Sequence, residues 1–218
     1  MIIIPSVRDM QSLALQSRQG GKVIGLVPTM GFLHEGHMSL VRIAREKADL
    51  VIVSSFVNPA QFGPREDFDK YPRNDERDDS LCEKEGVDVM FRPAAGEIYR
   101  KDHSVYVEEI ALSAGLCGGF RPGHFRGVAT VVAKLFNITQ PHTAVFGRKD
   151  AQQARVIEQM TRDLNFPVEI ILGPIIRERD GLAMSSRNAY LSASERVRAC
   201  GLYKSLCAAE HLFRDGVR

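Results

Sequence analysis

Short, nearly continuous apolar runs alternate along the chain with stretches in which apolar residues recur every three or four positions. The runs are VIGLVP (23–28), DLVIVSSFVN (49–58), VDVMFRP (87–93), HTAVFG (142–147) and VEIILGPII (168–176). Their length and lack of polar alternation predict strands covered on both faces, hence a largely parallel sheet. Helical periodicity falls over 37–48, about 75–86, 127–139 and 150–164, and in the first of these Leu40, Val41, Ala44 and Ala48 form the stripe expected to be buried. Strand and helix in alternation predict a doubly wound α/β domain that binds ligands at the carboxyl ends of its strands.

Beyond Ile176 the texture changes. LSASER reads as a helix start with Ser192 or Ser194 as N-cap, and the helix is expected to run to about Phe213, before Gly216. One helix and a loop cannot form a domain, so this tail is expected to pack on the main body or to open a second domain. The sequence shows no internal repeat and no low-complexity segment.

At 218 residues one main domain is the default. Lys and Arg total 29 against 27 Asp and Glu, a net charge of +2 spread along the chain, which gives no reason to expect a nucleic-acid or membrane partner. Cys82, Cys117, Cys200 and Cys207 show no C-x-x-C spacing and are expected to be free thiols in a reducing cytoplasm. MIIIPSVRDMQ lacks a basic leader, and no stretch approaches the ~20 apolar residues of a membrane span.

The candidate chemistry begins at VPTMGFLHEGHMSL (27–40), where a strand ends at Pro28 and a helix starts near His37. Such a turn aims unpaired N–H groups and a partial positive charge at whatever lies above the sheet edge, and phosphate suits it. His34 and His37 flank Gly36, whose bare backbone would let a base or ribose approach. A metal pair and plain capping histidines stay open on this stretch alone, although no third zinc ligand lies nearby. Neither G-x-G-x-x-G nor G-x-x-x-x-G-K-[ST] occurs.

Three further stretches follow strands or close loops. FVNPAQFGPREDFDKYPR (56–73) offers Gln61, an amide able to donate and accept. FGRKDAQQARVI (146–157) offers Lys149 as a point charge for phosphates, Asp150 as an N-cap and Gln153 one turn into a helix. DGLAMSSRN (180–188) sets Ser185, Ser186 and Arg187 in a loop able to close over a triphosphate. GGFRPGHFRG (118–127) adds His124, a weak candidate on its own.

PTMGFLHEGHMSL, NPAQFGPREDFDKYPR, FRPGHFRGVATVVAKLF, FGRKD followed by QQ after Ala151, and RERDGLAMSSRN stand in the order and approximate spacing of the pantothenate synthetase family, the pantoate–β-alanine ligases. The resemblance runs to about Leu191. It implies a Rossmann-like fold of the nucleotidylyltransferase superfamily, with HEGH in the place of an H-I-G-H motif and MSSRN in that of a mobile lysine-serine loop. It also implies two steps, formation of pantoyl adenylate and pyrophosphate from pantoate and MgATP, then displacement of AMP by the amine of β-alanine.

Carried over residue by residue, the resemblance assigns ATP to Met30, Gly31, Phe32, Leu33, His34, Glu35, Gly36 and His37, to Gly147, Arg148, Lys149 and Asp150, to Ile176, and to Met184, Ser185, Ser186 and Arg187. His37, as proton donor, acts with His34 and Lys149 in catalysis; Gln61 and Gln153 hold pantoate, Gln61 also serves β-alanine, and Asp78 or Asp79 stands near Mg2+. It further implies a homodimer, and a main domain over 1–176 followed by an incomplete lid over 177–218. Arg148 and Ala151 depart from the family's usual acidic and aromatic residues. A related transferase acting on a phosphate acceptor, or a module that binds ATP without turnover, are the rival expectations.

Overall fold

In the computed structural model, which describes residues 1–217, a sheet of six parallel strands is covered by helices on both faces. The elements in chain order are β1 (Ile2–Ile4), α1 (Val7–Gln19), β2 (Ile24–Thr29), α2 (Glu35–Arg45), β3 (Leu50–Ser55), α3 (Asp75–Lys84), β4 (Val89–Phe91), α4 (Ala95–Ile98), α5 (Cys117–Phe120), α6 (His124–Thr139), β5 (Thr143–Gly147), α7 (Ala151–Asp163), β6 (Glu169–Gly173) and α8 (Ala193–Arg214). Three 3-10 segments complete the described residues: Pro59–Gln61 after β3, Arg148–Asp150 after β5 and Ser186–Tyr190 before α8.

The predicted strands all form, four of them trimmed and the first shifted by one residue to Ile24–Thr29, and the predicted helices lie within a few residues of their expected limits. Four elements had no counterpart in the sequence reading, the one-turn helices α4 and α5 together with β1 and α1. β1 is three residues long and pairs only with β4 at the sheet edge, leaving Ile2 and Ile3 each 51% exposed. α1 follows it, capped by the Ser6 side chain, which accepts from Asp9 N. Leu40, Val41 and Ala44 are buried as expected, whereas Ala48 lies past the end of α2 and is only partly buried.

The strand order β1-β4-β3-β2-β5-β6 places the site. From β2 the chain builds outward through β3 and β4, then returns to the other side of β2 with β5. The crevice at the carboxyl ends of β2 and β5 is therefore the topological switch point, where open α/β sheets bind ligands. Two apolar layers fix this sheet. Leu26, Ile52, Val89 and Ala144 face α1 and α6, while Val27, Val53, Met90 and Val145 face α2 and α3.

α6 approaches the 3-10 turn so closely that a Cβ on Gly127 would stand 2.2 Å from the carbonyl oxygen of Ala60. Overpacking of this kind usually costs ~1–3 kcal/mol, and here the obstacle is rigid backbone. Gly127→Ala should therefore lower the melting temperature by roughly 4–10 °C. Gly96→Ala, with open space beside it, should leave it unchanged or slightly raised. Thermal unfolding followed by circular dichroism compares the two.

Candidate active site

The turn leaving β2 is bent by two left-handed residues, Gly31 at φ 78° and Phe32 at φ 48°. For a phenylalanine that conformation is strained. Two features hold it. A Cβ on Gly31 would meet Ser55 Oγ at 2.8 Å, so only glycine fits. The buried Asp78 on α3 accepts from the backbone N–H of both Phe32 and Leu33, each at 2.7 Å. Burial raises the pKa of Asp78 against these hydrogen bonds.

With the turn pinned, α2 begins at its N-cap His34 and the two imidazoles come together with ring centroids 4.0 Å apart. His37 Nδ1 accepts from His34 N at 3.3 Å, which puts the proton of the neutral ring on Nε2 and makes His37 a donor. His34 Nδ1 is buried without a hydrogen-bond partner. The space beside Gly36, expected to admit a base or ribose, is filled by the His34 ring, 2.9 Å from where a Cβ would stand. Burial, reinforced by Lys149, lowers the pKa of His34 to about 4. Burial, the neighbouring His34 and Lys149 lower that of His37 to about 3. At neutral pH the pair is thus uncharged and acts through hydrogen bonds.

Around the histidines lies a cavity of about 210 Å³. His34, His37, Met30, Lys149, Asp150, Gln61, Gln153, Ser185, Ser186 and Arg187 all line it, so four stretches far apart in sequence meet there. Gly31, Phe32, Leu33, Glu35, Gly36, Gly147, Arg148, Ile176 and Met184 do not line this cavity. Several support it from behind. Leu33 is core, Gly147 ends β5, and Ile176 O accepts from Met184 N. Glu35 pairs with Arg42 on the outer surface. Arg148 and Ala151, the two departures from the family pattern, are exposed.

Asp150 is the N-cap residue of α7, but its side chain makes no capping hydrogen bond. It accepts instead from Lys149 Nζ at 3.1 Å. Of the paired glutamines, Gln153 faces the cavity while Gln152 binds the loop at Leu112, Gly115 and Cys117. Ser186 Oγ donates to Phe32 O, and Arg187 makes a two-pronged ion pair with Asp67 at 2.8 Å, so the 184–187 loop is docked on the cleft. Asp79 pairs with Arg92. Asp78 and Asp79 both stand outside the cavity lining, and the described residues hold no cluster of three or more His, Cys, Asp and Glu that could grip a metal.

The other wall escaped sequence reasoning. Val128, Val131, Val132 and Leu135 of α6, with Phe56 and Phe146, make an apolar surface beside Gln61. Asn58 Nδ2 donates to Gln61 Oε1 at 3.0 Å and to Gly127 O, while Asn58 Oδ1 accepts from Tyr99 and from Ala60 N; this fixes the Gln61 amide, whose Nε2 donates one N–H to Met30 Sδ at 3.1 Å and keeps the second for the cavity. His124, weak as a sequence signal, is buried beneath the same turn and bonds Gln61 O through Nδ1 at 2.8 Å. The helical stripe of α6 was visible as core, but nothing in it distinguished core from cavity wall.

The sequence model of the family described as pantoate-beta-alanine ligase matches residues 2–217. The chain belongs to the pantoate–β-alanine ligase family. It is 59% identical over 218 residues to a pantothenate synthetase of Thermotoga petrophila, covering 100% of this chain and 78% of that one. Against a pantothenate synthetase of Sulfurihydrogenibium the identity is 56% over 217 residues, with coverage of 100% and 78%. Among solved structures, pantothenate synthetase from Thermus thermophilus superposes with a TM-score of 0.95 at 46% identity, covering 99% of this chain and 77% of that chain. Pantoate-beta-alanine ligase from Francisella tularensis, complexed with beta-gamma ATP and beta-alanine, superposes with a TM-score of 0.89 at 38% identity, covering 94% and 78%. The chain is thus a ligase of pantothenate biosynthesis, built on the Rossmann-like sheet that the motifs implied.

The histidine environment has a pH consequence. Both rings titrate near 6.5 when unfolded but at about 4 and about 3 in the fold, so below pH 6.5 the unfolded chain binds more protons. Stability is complete above the unfolded value and falls as pH drops from about 6.5 towards about 3. Urea unfolding of the parent and of His37→Gln between these limits should show a shallower acid loss in the variant. Equal slopes would remove His37 as a source of the acid sensitivity.

Proposed function

We propose that the cavity joins (R)-pantoate to β-alanine through a pantoyl-adenylate intermediate, releasing pyrophosphate and then AMP. The observation that carries this reading is the meeting, in one small cavity, of a donor-only amide and an apolar wall with the neutral histidine pair and Lys149. Pantoate has an aliphatic body with hydroxyl and carboxylate oxygens, and Gln61 and Gln153 beside the wall suit both parts. A phosphorylated acceptor would instead need unpaired cations at that end, and there the cavity offers amides, the side chains from Val128 to Leu135, and Arg121, which is already paired with Glu66.

In the first step a pantoate carboxylate oxygen attacks the α-phosphorus of ATP. The new bond is O–P; the bond to the β-phosphate breaks and pyrophosphate leaves. Charge builds on phosphate oxygens, so fixed donors lower the barrier without a covalent nucleophile. His37 Nε2–H and His34 supply uncharged donors, Lys149 a cation, and Ser185, Ser186 and Arg187 receive the pyrophosphate. In the second step the neutral amine of β-alanine attacks the acyl carbon, a C–N bond replaces the C–O bond to AMP, and the amine proton passes to solvent.

Magnesium fits as part of MgATP, held by phosphate oxygens and water, because Asp78 and Asp79 are already engaged with the turn and with Arg92. When bound it would neutralise phosphate charge. We read residues 177–217 as the beginning of a lid, since α8 leaves Val197, Leu202 and Leu206 mostly exposed and is tied to the loop before it by Arg196 on Glu178 and Asp180. Exposed Val105, Ile110 and Phe120 support a homodimer, and four free cysteines suit a cytoplasmic setting. No described helix is long and apolar enough to cross a membrane.

Pantoate-dependent exchange of labelled pyrophosphate into ATP tests the first step without β-alanine. The parent should exchange, and His34→Ala or Lys149→Ala should each lower the rate at least about tenfold, ~1.4 kcal/mol of transition-state stabilisation. Exchange that requires a phosphorylated acceptor instead of pantoate would overturn the assignment. Tight ATP binding with no exchange would indicate a binding module.

A further inference from the structure

Two loops clasp each other beside the cavity. One spans residues 62–71, between the first 3-10 segment and α3; the other carries Ser185 and Arg187 into the segment Ser186–Tyr190. Phe62 packs edge-on against Phe68 and Tyr71, and the Arg187 guanidinium lies over two of these rings, 5.4 Å from the Tyr71 centroid and 5.9 Å from that of Phe62. Asp67 closes the clasp. It accepts from Arg187 Nε and Nη2, both at 2.8 Å, and the Tyr190 hydroxyl lies 3.3 Å from the same carboxylate and 3.0 Å from Lys70 O. Among the described residues this is the ion pair that joins the two loops.

This pairing differs from that of the other phosphate-end cation. Lys149 meets its own chain neighbour, Asp150, whereas Asp67 is 120 residues from Arg187, so the second pair exists only while the loop is docked. Hydrogen bonding to Arg187 holds the Asp67 carboxyl below its ordinary range against partial burial, which keeps it charged at neutral pH. The edge formed by Nε and Nη2 is the one that grips a carboxylate or a phosphate two-pronged. Here the protein itself occupies that edge. A polyphosphate in the cavity can use it only by displacing Asp67, whose negative charge also repels the newcomer.

We propose that Asp67 is a positioning residue that competes with pyrophosphate for Arg187, loosening the grip of the loop on this product so that it can leave. The idea rests on the ligase reading above, in which Arg187 receives the departing pyrophosphate. An unpaired arginine there would hold the polyanion, and turnover would wait on its release. With a resident carboxylate, the apparent affinity of the loop for pyrophosphate is reduced by the fraction of time that Arg187 stands free of Asp67. Once the product has gone, the same pair returns the loop to its docked position.

The test looks for a gain of affinity, which a merely structural defect would not produce. In pantoate-dependent exchange with the full chain, the pyrophosphate concentration at half-saturation should fall about fivefold in Asp67→Asn, the scale of a partly exposed two-pronged pair. Pyrophosphate should inhibit the complete reaction more strongly by the same factor. Asp67→Ser removes the charge without supplying an amide and should behave alike, so a folding defect in one variant leaves the other to decide. Beside Arg187→Gln there is no guanidinium to release, and D67N should then shift half-saturation by less than about 1.5-fold. Unchanged or raised half-saturation in the Asp67 variants would overturn the proposal, as would a fall that persists beside Arg187→Gln. Absence of exchange in the parent would overturn the ligase reading and this proposal with it, whereas exchange in the parent that ignores Asp67 overturns this proposal alone.

Discussion

The site hangs on one buried carboxylate. Asp78 accepts from two successive backbone N–H groups, Phe32 and Leu33, and so holds a turn whose two left-handed residues would otherwise relax. Strain of this kind costs on the order of 1–3 kcal/mol per residue and persists only where the surroundings over-determine it. Here the consequence is directional. With the turn fixed, α2 is capped at His34, the two imidazoles come together with their planes tilted by 33°, and the Phe32 carbonyl is presented to Ser186 on the distant loop. The clamp itself comes from α3, on the far side of β3 from the turn, so the sheet order is what allows it.

Charge in the cleft follows a common design. Each of its cations is held by a carboxylate neighbour: Lys149 by Asp150, Arg187 by Asp67 and Arg121 by Glu66. The histidines are kept neutral by burial. Such a cleft carries little net charge despite its lysine and arginines, and in the proposed reaction substrate oxygens would compete with the resident carboxylates for these cations. That competition fits a reaction in which anionic phosphates must first be gripped and then let go.

Much of this was legible in the sequence, for physical reasons. Long apolar runs mark β2, β3 and β5 because both faces of those strands are buried, and motif order placed His34, His37, Lys149, Gln61, Gln153 and Ser185 to Arg187 before any coordinates did. β1 was illegible because three residues at a half-exposed edge carry no periodic signal. Asp78 read as a candidate near a metal, and its engagement with the turn depends on packing of α3 that no local pattern reports. Asp67 and Arg121 were missed for the same reason: nothing in their own stretches distinguishes a side chain engaged at the cleft from a surface one. Gly36 shows the limit of reading a glycine from its neighbours, since the room it leaves is taken by the adjacent His34 ring.

Hydrogen–deuterium exchange at the Phe32 and Leu33 amides, in the parent and in Asp78→Asn, probes the clamp most directly. The substitution keeps the shape of the side chain but turns one acceptor into a donor facing an N–H. Protection at Phe32 and Leu33 should collapse while the amides of Val51 to Val53 in the neighbouring strand keep theirs. Unchanged protection at Phe32 and Leu33 would mean that the turn stands without Asp78, and that something else aims the histidines.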